Sequence, residues 1–465
     1  MAEQFLAIVD ADKIHDYVFS PHELKLIKGG SFLQYELNTE TLPKEACKIG
    51  ASPDPCISAN GGTVVAKFPT RDRAEGFCRA AETLYWKRTA AATVSTAVAR
   101  YPANEWEQAK SELDDLLERN KHSRRKRQFN GASPLWTTCQ ACGLYPAAHA
   151  YYTPSDKRWI CQACQLRKKR SDQKPPGWLH TLKFFDTFEE IGREASPENY
   201  LAILYIDLDR LGRHMGKEGT TADRWRDLSK DVDDAVSASV RAGCNALREV
   251  DAPAQVLLAG GDDAIVALPA DQVFRFVKGY KEGFEKQRFL DGQVKPPTYS
   301  MGVAVANSHY PIFEFRRLAE ELMRSAKRIE GENAIDFEVL TASMTDGITD
   351  HRERVAQRTL GPRRTAKPYT IDGFLGLEKT VGKLKAEGVP SSKVKSLYRM
   401  VYQGKYQADL DYLYLLSRLE ATPRGALVEA VGQQLWRPGP KGGEITVAAD
   451  LVEIWDFVHD AETRN

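Results

Sequence analysis

Long hydrophobic runs are missing from this sequence of 465 residues. None approaches the roughly 20 apolar residues that a membrane-spanning helix needs, so no association with a membrane is expected. The opening MAEQFLAIVDADK has a short apolar stretch and no basic flank, which is not the pattern of a secretory signal peptide. An excess of one charge is missing as well: 65 Lys and Arg face 64 Asp and Glu. A globally basic, autonomous nucleic-acid binder is thereby disfavoured. Cysteine is sparse, with eight residues, four of them scattered (Cys47, Cys56, Cys78, Cys244), and a reducing cytoplasmic setting is expected. The remaining composition is that of an ordinary globular protein, and the length allows about three domains, each with its own core.

The other four cysteines form one pattern. CQAC at Cys139–Cys142 recurs as CQAC at Cys161–Cys164 after eighteen residues, the spacing of a four-thiolate zinc ribbon. Gly143 permits the tight turn that aims backbone N–H groups at sulfur. Four thiolates leave no open position on the metal, so the zinc is expected to be structural; a pair of redox dithiols is the alternative. His149, between the pairs, reads as a surface residue. Basic runs flank the ribbon at 119–127 and 166–170, and they read either as solvated loops or as contacts to an RNA backbone.

Around the ribbon the chain repeats itself. In the C-terminal copy LAILYIDLDRLG is a buried strand ending in Asp207 and Asp209. The helix after it places Trp225, Leu228, Val232, Val236, Val240 and Leu247 at three- and four-residue steps. A hairpin, VLLAGGDDAIVALP, follows, then a helix, the strand TYSMGVAVA, a helix opened by Pro311 and a closing strand. This βαββαβαβ order predicts a ferredoxin-like sheet with helices on one face. The first 120 residues give the same order, from a strand ending in Asp10 and Asp12 to a hairpin turning at Gly61-Gly62. There the acids of GGDD are replaced, on a match of the glycine pairs, by Thr63 and Val64. One live and one degenerate copy are expected.

A turn needs glycine and tolerates one Asp, so the second carboxylate of GGDD asks for a reason. If the 201–207 strand pairs beside the hairpin, Asp207 joins Asp262 and Asp263, and three acids at one edge repel unless a cation neutralises them. Mg²⁺, or Mn²⁺, suits all-oxygen ligands and leaves room for phosphates. Two such ions would activate a ribose 3′-hydroxyl for in-line displacement of pyrophosphate. The Leu208 carbonyl is a further candidate ligand, and Gly260 and Gly261 border the expected nucleotide site. Lys327 and Arg328 are candidate phosphate contacts, although a lysine in a last helical turn also complements the helix dipole. Asp209 is either a fourth acid or the start of a loop. A plain turn with solvated acids is the alternative for the whole constellation. The doublet His15-Asp16 lacks the further His and Asp ligands of a metal phosphohydrolase, and an HD nuclease domain is not expected.

Taken together, YIDLDRLG, GGDD, the four-cysteine ribbon and the opening DADKIHDYVFSPHELKLIKGGS resemble the palm-bearing large subunit of type III CRISPR–Cas effector complexes, with the Cmr branch closest. The segments LEKTVGKLKAEGVPSSKVKSLYRMVYQG and TVAADLVEIWDFV resemble its terminal helical domain. The resemblance implies an α+β chain: a degenerate palm at 1–130, a zinc ribbon at 131–175, a catalytic palm at 195–345 and a helical domain at 365–465. It also implies synthesis of cyclic oligoadenylates from ATP when guide and target RNA are docked with the other subunits. Asp207, Asp262 and Asp263 would hold the metals, and Ser300 and Lys327 would touch nucleotide. Because the chain carries its own second palm, it is not expected to be an obligate homodimer. A diguanylate-cyclase-like enzyme and a non-catalytic RNA-binding scaffold remain as other readings; in the former, an acid and Phe would follow where Ala264-Ile265 stand here.

Overall fold

The computed structural model describes residues 4–50, 54–102, 105–123, 136–152, 156–182, 184–212, 220–248, 253–292, 294–340, 347–348, 350, 352, 365–439 and 444–459. The basic stretch at 124–127 lies outside them. No described helix is long and apolar enough to cross a membrane.

The first palm runs β1 (Gln4–Ala11), α1 (Ile14–Val18), α2 (Leu24–Glu36), α3 (Leu42–Gly50), β2 (Cys56–Asn60), β3 (Thr63–Phe68), α4 (Arg71–Thr89), β4 (Val94–Tyr101) and α5 (Trp106–Ser123). Its antiparallel sheet has the order β2-β3-β1-β4. The small ribbon follows, with β5 (His149–Tyr152), β6 (Lys157–Ile160) and α6 (Gln162–Ser171), then α7 (Phe188–Arg193). The second palm runs β7 (Tyr200–Leu208), α8 (Ala222–Arg248), β8 (Gln255–Gly260), β9 (Asp263–Pro269), α9 (Val273–Phe284), β10 (Tyr299–Asn307), α10 (Ile312–Ala326) and β11 (Ala334–Val339). Its sheet repeats the first order as β8-β9-β7-β10 and continues through β11 to β12 (Tyr369–Thr370).

The helices lie on both faces of each sheet, not on one as the element order predicts. Strand alternation shows why. On β7, Ala202, Leu204 and Ile206 join Val232 and Val236 of α8 and Phe276 of α9 in one core. The residues between them, Ile203 and Tyr205, join Phe315 and Leu318 of α10 in another. Strands this apolar on both sides need cover on both. In the first palm α5 likewise takes the face opposite α4, with Leu113 and Leu117 against Leu6 and Ile8.

The core of Ile203, Tyr205 and Phe315 also contains Tyr17, Val18, Phe19 and Ile27, so the two palms share one apolar interior. Their hairpin tips abut. A Cβ on Gly261 would stand 2.6 Å from Gly61 Cα, and both glycines have left-handed backbones, φ 69° and 56°. Only glycine satisfies both demands. Asn60 adds a cross-palm tie, its Nδ2 donating to the Ser229 carbonyl at 2.7 Å.

The C-terminal helices α11 (Ile371–Ala386), α12 (Ser391–Met400), α13 (Lys405–Ser417), α14 (Ala421–Val431) and α15 (Ala448–Ile454) pack on the α9 side. Phe374 stacks on Phe274 with ring centroids 4.5 Å apart. This region therefore shares the core of the second palm, and β12 extends its sheet.

Candidate functional site

Register brings the acids together. Asp207, near the end of β7, pairs with Asp263, the first residue of β9, and on its other side with Ser300 of β10. Asp262 sits in the two-residue turn, and its carbonyl accepts the Leu208 N–H at 3.0 Å. The three acids thus meet at one strand end, where the sequence reading placed them. In the first palm Asp10 pairs with Thr63 and Asn60 with Thr63. In the second, Asp207 pairs with Asp263 and Gly260 with Asp263. NGGT therefore superposes on GGDD, and the residues replacing the acids are Gly62 and Thr63. Thr63 and Val64, suggested by matching the glycine pairs, are one position too far along. The ladder decides this, because a one-residue slip would turn every side chain of β3 to the other face.

The acids are short of positive charge. Burial first, and then the carboxylates of Asp262 and Asp263, push Asp207 up to about 6 against the pull of Lys327. Burial and the Asp263 carboxylate raise Asp262 as well. Lys327, immediately after α10, donates to Asp207 Oδ2; the next residue, Arg328, is exposed. Asp263 Oδ2 lies 3.1 Å from His15 Nε2 and 3.3 Å from the Tyr205 hydroxyl. Three converging carboxylates with one lysine suit a divalent cation and a phosphate that would draw Lys327 away. Among the described residues, the one group with three or more ligand atoms within 4.8 Å of one another is the cysteine set, so the acids are not drawn that tightly together.

Several expected site residues prove to be braces. Ser300 has no exposed surface, and its hydroxyl donates to Asp209 Oδ1 at 2.9 Å. Thr298 donates to Asp209 Oδ2 at 2.9 Å, so Asp209 is a buried tie and not a fourth acid in the cleft. The Gly261 N–H donates to Asp233 Oδ1 at 2.7 Å and is not free for a phosphate. Leu208 is buried, and Gly260 is partly exposed at the hairpin end.

The first palm keeps much of this frame. Asp12 accepts from Thr93 and Ser95 at 2.8 Å each, as Asp209 does from Thr298 and Ser300. Lys121, after most of α5, pairs with Asp10 at 3.0 Å as Lys327 pairs with Asp207. The first palm therefore retains the lysine–aspartate pair and lacks the hairpin acids. A cleft of 430 Å³ lies between the palms, lined by Asp10, Thr63, Lys121, Trp225 and Asp262 among others. A second pocket of 190 Å³ reaches Asp262 and Asp263 from the α2 side.

Sequence reasoning missed His15, Tyr205 and Asp233. Tyr205 was within reach, two residues before Asp207 on the same strand face. His15 was set aside with the His15-Asp16 doublet; Asp16 is exposed and pairs with Lys13 at 3.6 Å.

In the ribbon, Cys139, Cys142, Cys161 and Cys164 form one buried cluster, with all sulfurs within 4.8 Å of one another. Cys142 Sγ and Cys161 Sγ are 3.8 Å apart. Tetrahedral Zn–S bonds of about 2.3 Å put sulfurs about 3.8 Å apart, so the set fits zinc. The thiol groups of Cys142, Cys161 and Cys164 hydrogen-bond Cys139 and hold it well below its usual range. Gly143, at φ 67°, closes the first turn, with its N–H on the Cys139 carbonyl at 2.9 Å. The Cys164 N–H points at Cys161 Sγ, 3.5 Å away, as the pattern predicts. His149 contacts Gln162. The basic run after the second pair is largely structural: Arg167 and Arg170 are buried, the latter on Glu36 at 2.7 Å.

Residues 200–336 match the family model of the Cas10/Cmr2 second palm domain. No curated protein matches the chain in sequence. Among solved structures it is similar to a chain of a Csm1–Csm4 cassette in complex with AMPPNP, at 15% identity and TM-score 0.61 over 98% of this chain and 70% of that one. Csm1 in T. onnurineus gives 15% identity and TM-score 0.59, again over 98% and 70%. A Csm1–Csm4 cassette in complex with cA3 gives 16% identity and TM-score 0.59 over 99% and 70%. Residues 200–336 are thus of the Cas10/Cmr2 second-palm kind, and the chain as a whole shares the fold of these Csm1 structures.

Proposed function

We propose that this chain is the large subunit of a type III CRISPR effector complex and makes cyclic oligoadenylates from ATP at the second palm when target RNA is bound. The observation that carries the reading is the convergence of Asp207, Asp262 and Asp263 in the second palm, opposite a first palm that keeps its own lysine–aspartate pair. Solved relatives of the same fold are described as complexes with AMPPNP and cA3 and as assembled with Csm4, which supports ATP as substrate and further subunits as partners.

Mg²⁺ or Mn²⁺ held by Asp207, Asp262 and Asp263 would activate a ribose 3′-hydroxyl and neutralise charge on the triphosphate. The protein supplies the rest. Lys327 leaves Asp207 for a phosphate oxygen, exchanging one anionic partner for another. The abutting hairpins hold acceptor and donor nucleotides side by side, and in-line transfer needs the hydroxyl within about 3–3.5 Å of the α-phosphorus. A diguanylate-cyclase-like reading is weaker, because buried Ala264 and Ile265 follow Asp263 and the second palm is already in the chain.

Purified protein mixed with each labelled nucleoside triphosphate and Mg²⁺ or Mn²⁺ should give product from ATP alone, weakly until partner subunits and target RNA are added. Activity per molecule should not vary with protein concentration. Activity rising with the square of concentration would favour the dimeric cyclase.

The Asp207 environment predicts a pH dependence. Only the anion binds metal, and its carboxyl is raised to about 6, so protons compete below that pH. Mn²⁺ affinity should therefore be full above about pH 6 and fall as pH drops through it. Lys327→Ala removes the cation that lowers this value, so the midpoint should move above 6. A titration of Mn²⁺ binding against pH in both proteins checks the direction.

A further inference from the structure

The chain just after the first strand of each palm can be aligned residue by residue. Asp12 and Asp209 hold the same Thr and Ser pairs, and the next residues, Lys13 and Arg210, both have left-handed backbones, φ 46° and 54°. Counting on from these, His15 of the first palm corresponds to Gly212 of the second. Gly212 borders the 430 Å³ cleft beside Thr63, which stands where the second palm has Asp263. His15 borders the 190 Å³ pocket beside Asp262 and Asp263. The imidazole is found beside Asp263, and a bare backbone beside Thr63, its counterpart in the first palm.

Resting on the polymerase reading above, we propose that His15 is a positioning residue for Asp263, supplied to the live site by the degenerate palm. In the neutral ring with its proton on Nε2, the Nε2–H donates to Asp263 Oδ2 at 3.1 Å. Nδ1 then accepts from the Tyr205 hydroxyl at 3.2 Å. The Tyr205 ring also packs against the imidazole, with centroids 5.6 Å apart. One oxygen of Asp263 is thus tethered, the carboxylate plane is set, and the other oxygen is left to a cation. The His15 side chain retains a quarter of its exposure, so it is not a core-filling residue. Outer partners of ligating carboxylates commonly contribute about 10- to 100-fold to metal affinity or activity.

The test uses the full chain and two readouts: Mn²⁺ binding by electron paramagnetic resonance without nucleotide, and kcat and KM for ATP. His15→Ala should weaken Mn²⁺ binding and lower kcat by about 10- to 100-fold, with KM within about twofold. His15→Gln, which keeps an N–H donor at similar reach, should recover most of both. Asp16→Ala, its exposed neighbour, should match wild type. Wild-type Mn²⁺ affinity and kcat in His15→Ala would overturn the proposal, as would equal losses in His15→Gln accompanied by a raised KM. Should His15→Ala not fold, Tyr205→Phe carries the test: weaker Mn²⁺ binding is expected, and unchanged affinity overturns it. A wild-type chain that binds Mn²⁺ yet makes no product even with partner subunits and target RNA would overturn the polymerase reading instead, leaving the Mn²⁺ comparison to judge His15.

Discussion

Replacing Asp262 and Asp263 together by alanine should abolish nucleotide polymerisation while the protein melts close to wild type. The two effects separate because the acids contribute charge to the site and little to the core. Asp262 lies in a turn, and burial and its acidic neighbour already disfavour its charged form. Removing mutually repelling carboxylates relieves that cost. What disappears is the ability to hold the cations that neutralise a triphosphate, which the remaining Asp207, already paired with Lys327, cannot supply alone. Changes at Gly62 and Thr63, the true counterparts in the first palm, should leave the metal affinity of the second palm intact, provided that small residues keep the tips in contact. Product formation at the wild-type rate in the double alanine variant would remove the metal assignment.

Cys139→Ser should release one zinc per chain and disorder the ribbon. A structural zinc site supplies about 10–16 kcal/mol of apparent binding free energy, more than so small a module gains from its own core. The damage should also reach the palm. The helix that begins at the second cysteine pair carries Arg167, 1% exposed, whose Nη2 donates to the Tyr17 carbonyl at 2.6 Å and whose Nη1 donates to Ser20 at 2.9 Å. Its guanidinium lies 4.1 Å from the Tyr17 ring centroid, and its backbone lies against Gly29, where a Cβ would stand 1.9 Å from the Arg167 carbonyl oxygen. Loosening α6 therefore loosens α1 and α2, which carry His15. Metal analysis together with activity checks this: zinc lost and activity reduced is the expected pair. A folded module without metal would favour the redox-dithiol reading.

Much of the candidate site was legible because its signals are local. GGDD between two apolar arms can only be a hairpin, and a strand ending in Asp207 has few places to pair. The cysteine spacing carries its own geometry, since two tight turns facing each other leave a hole of one size. The basic run at 166–170 misled for a physical reason: composition reports charge but not direction, and every third or fourth residue of a helix faces inward. Arg167 and Arg170 are on that face. Ser300, expected to touch nucleotide, and Asp209, left open between a fourth acid and the start of a loop, are joined by a hydrogen bond at the end of a strand that only the strand pairing reveals.

By itself the sequence determined the elements, their order, the duplication, and which copy kept its acids, because hydrophobic period and turn chemistry are properties of neighbouring residues. Tertiary structure alone decided three things. It set the register that matches Thr63 to Asp263, since pairing partners lie about 50 residues apart and a slip of one is invisible in a glycine pair. It placed helices on both faces of each sheet, because strands apolar on both sides do not say which helix covers which. And it brought His15 to Asp263 across 248 positions, a contact created by packing one palm against the other and encoded in no local pattern.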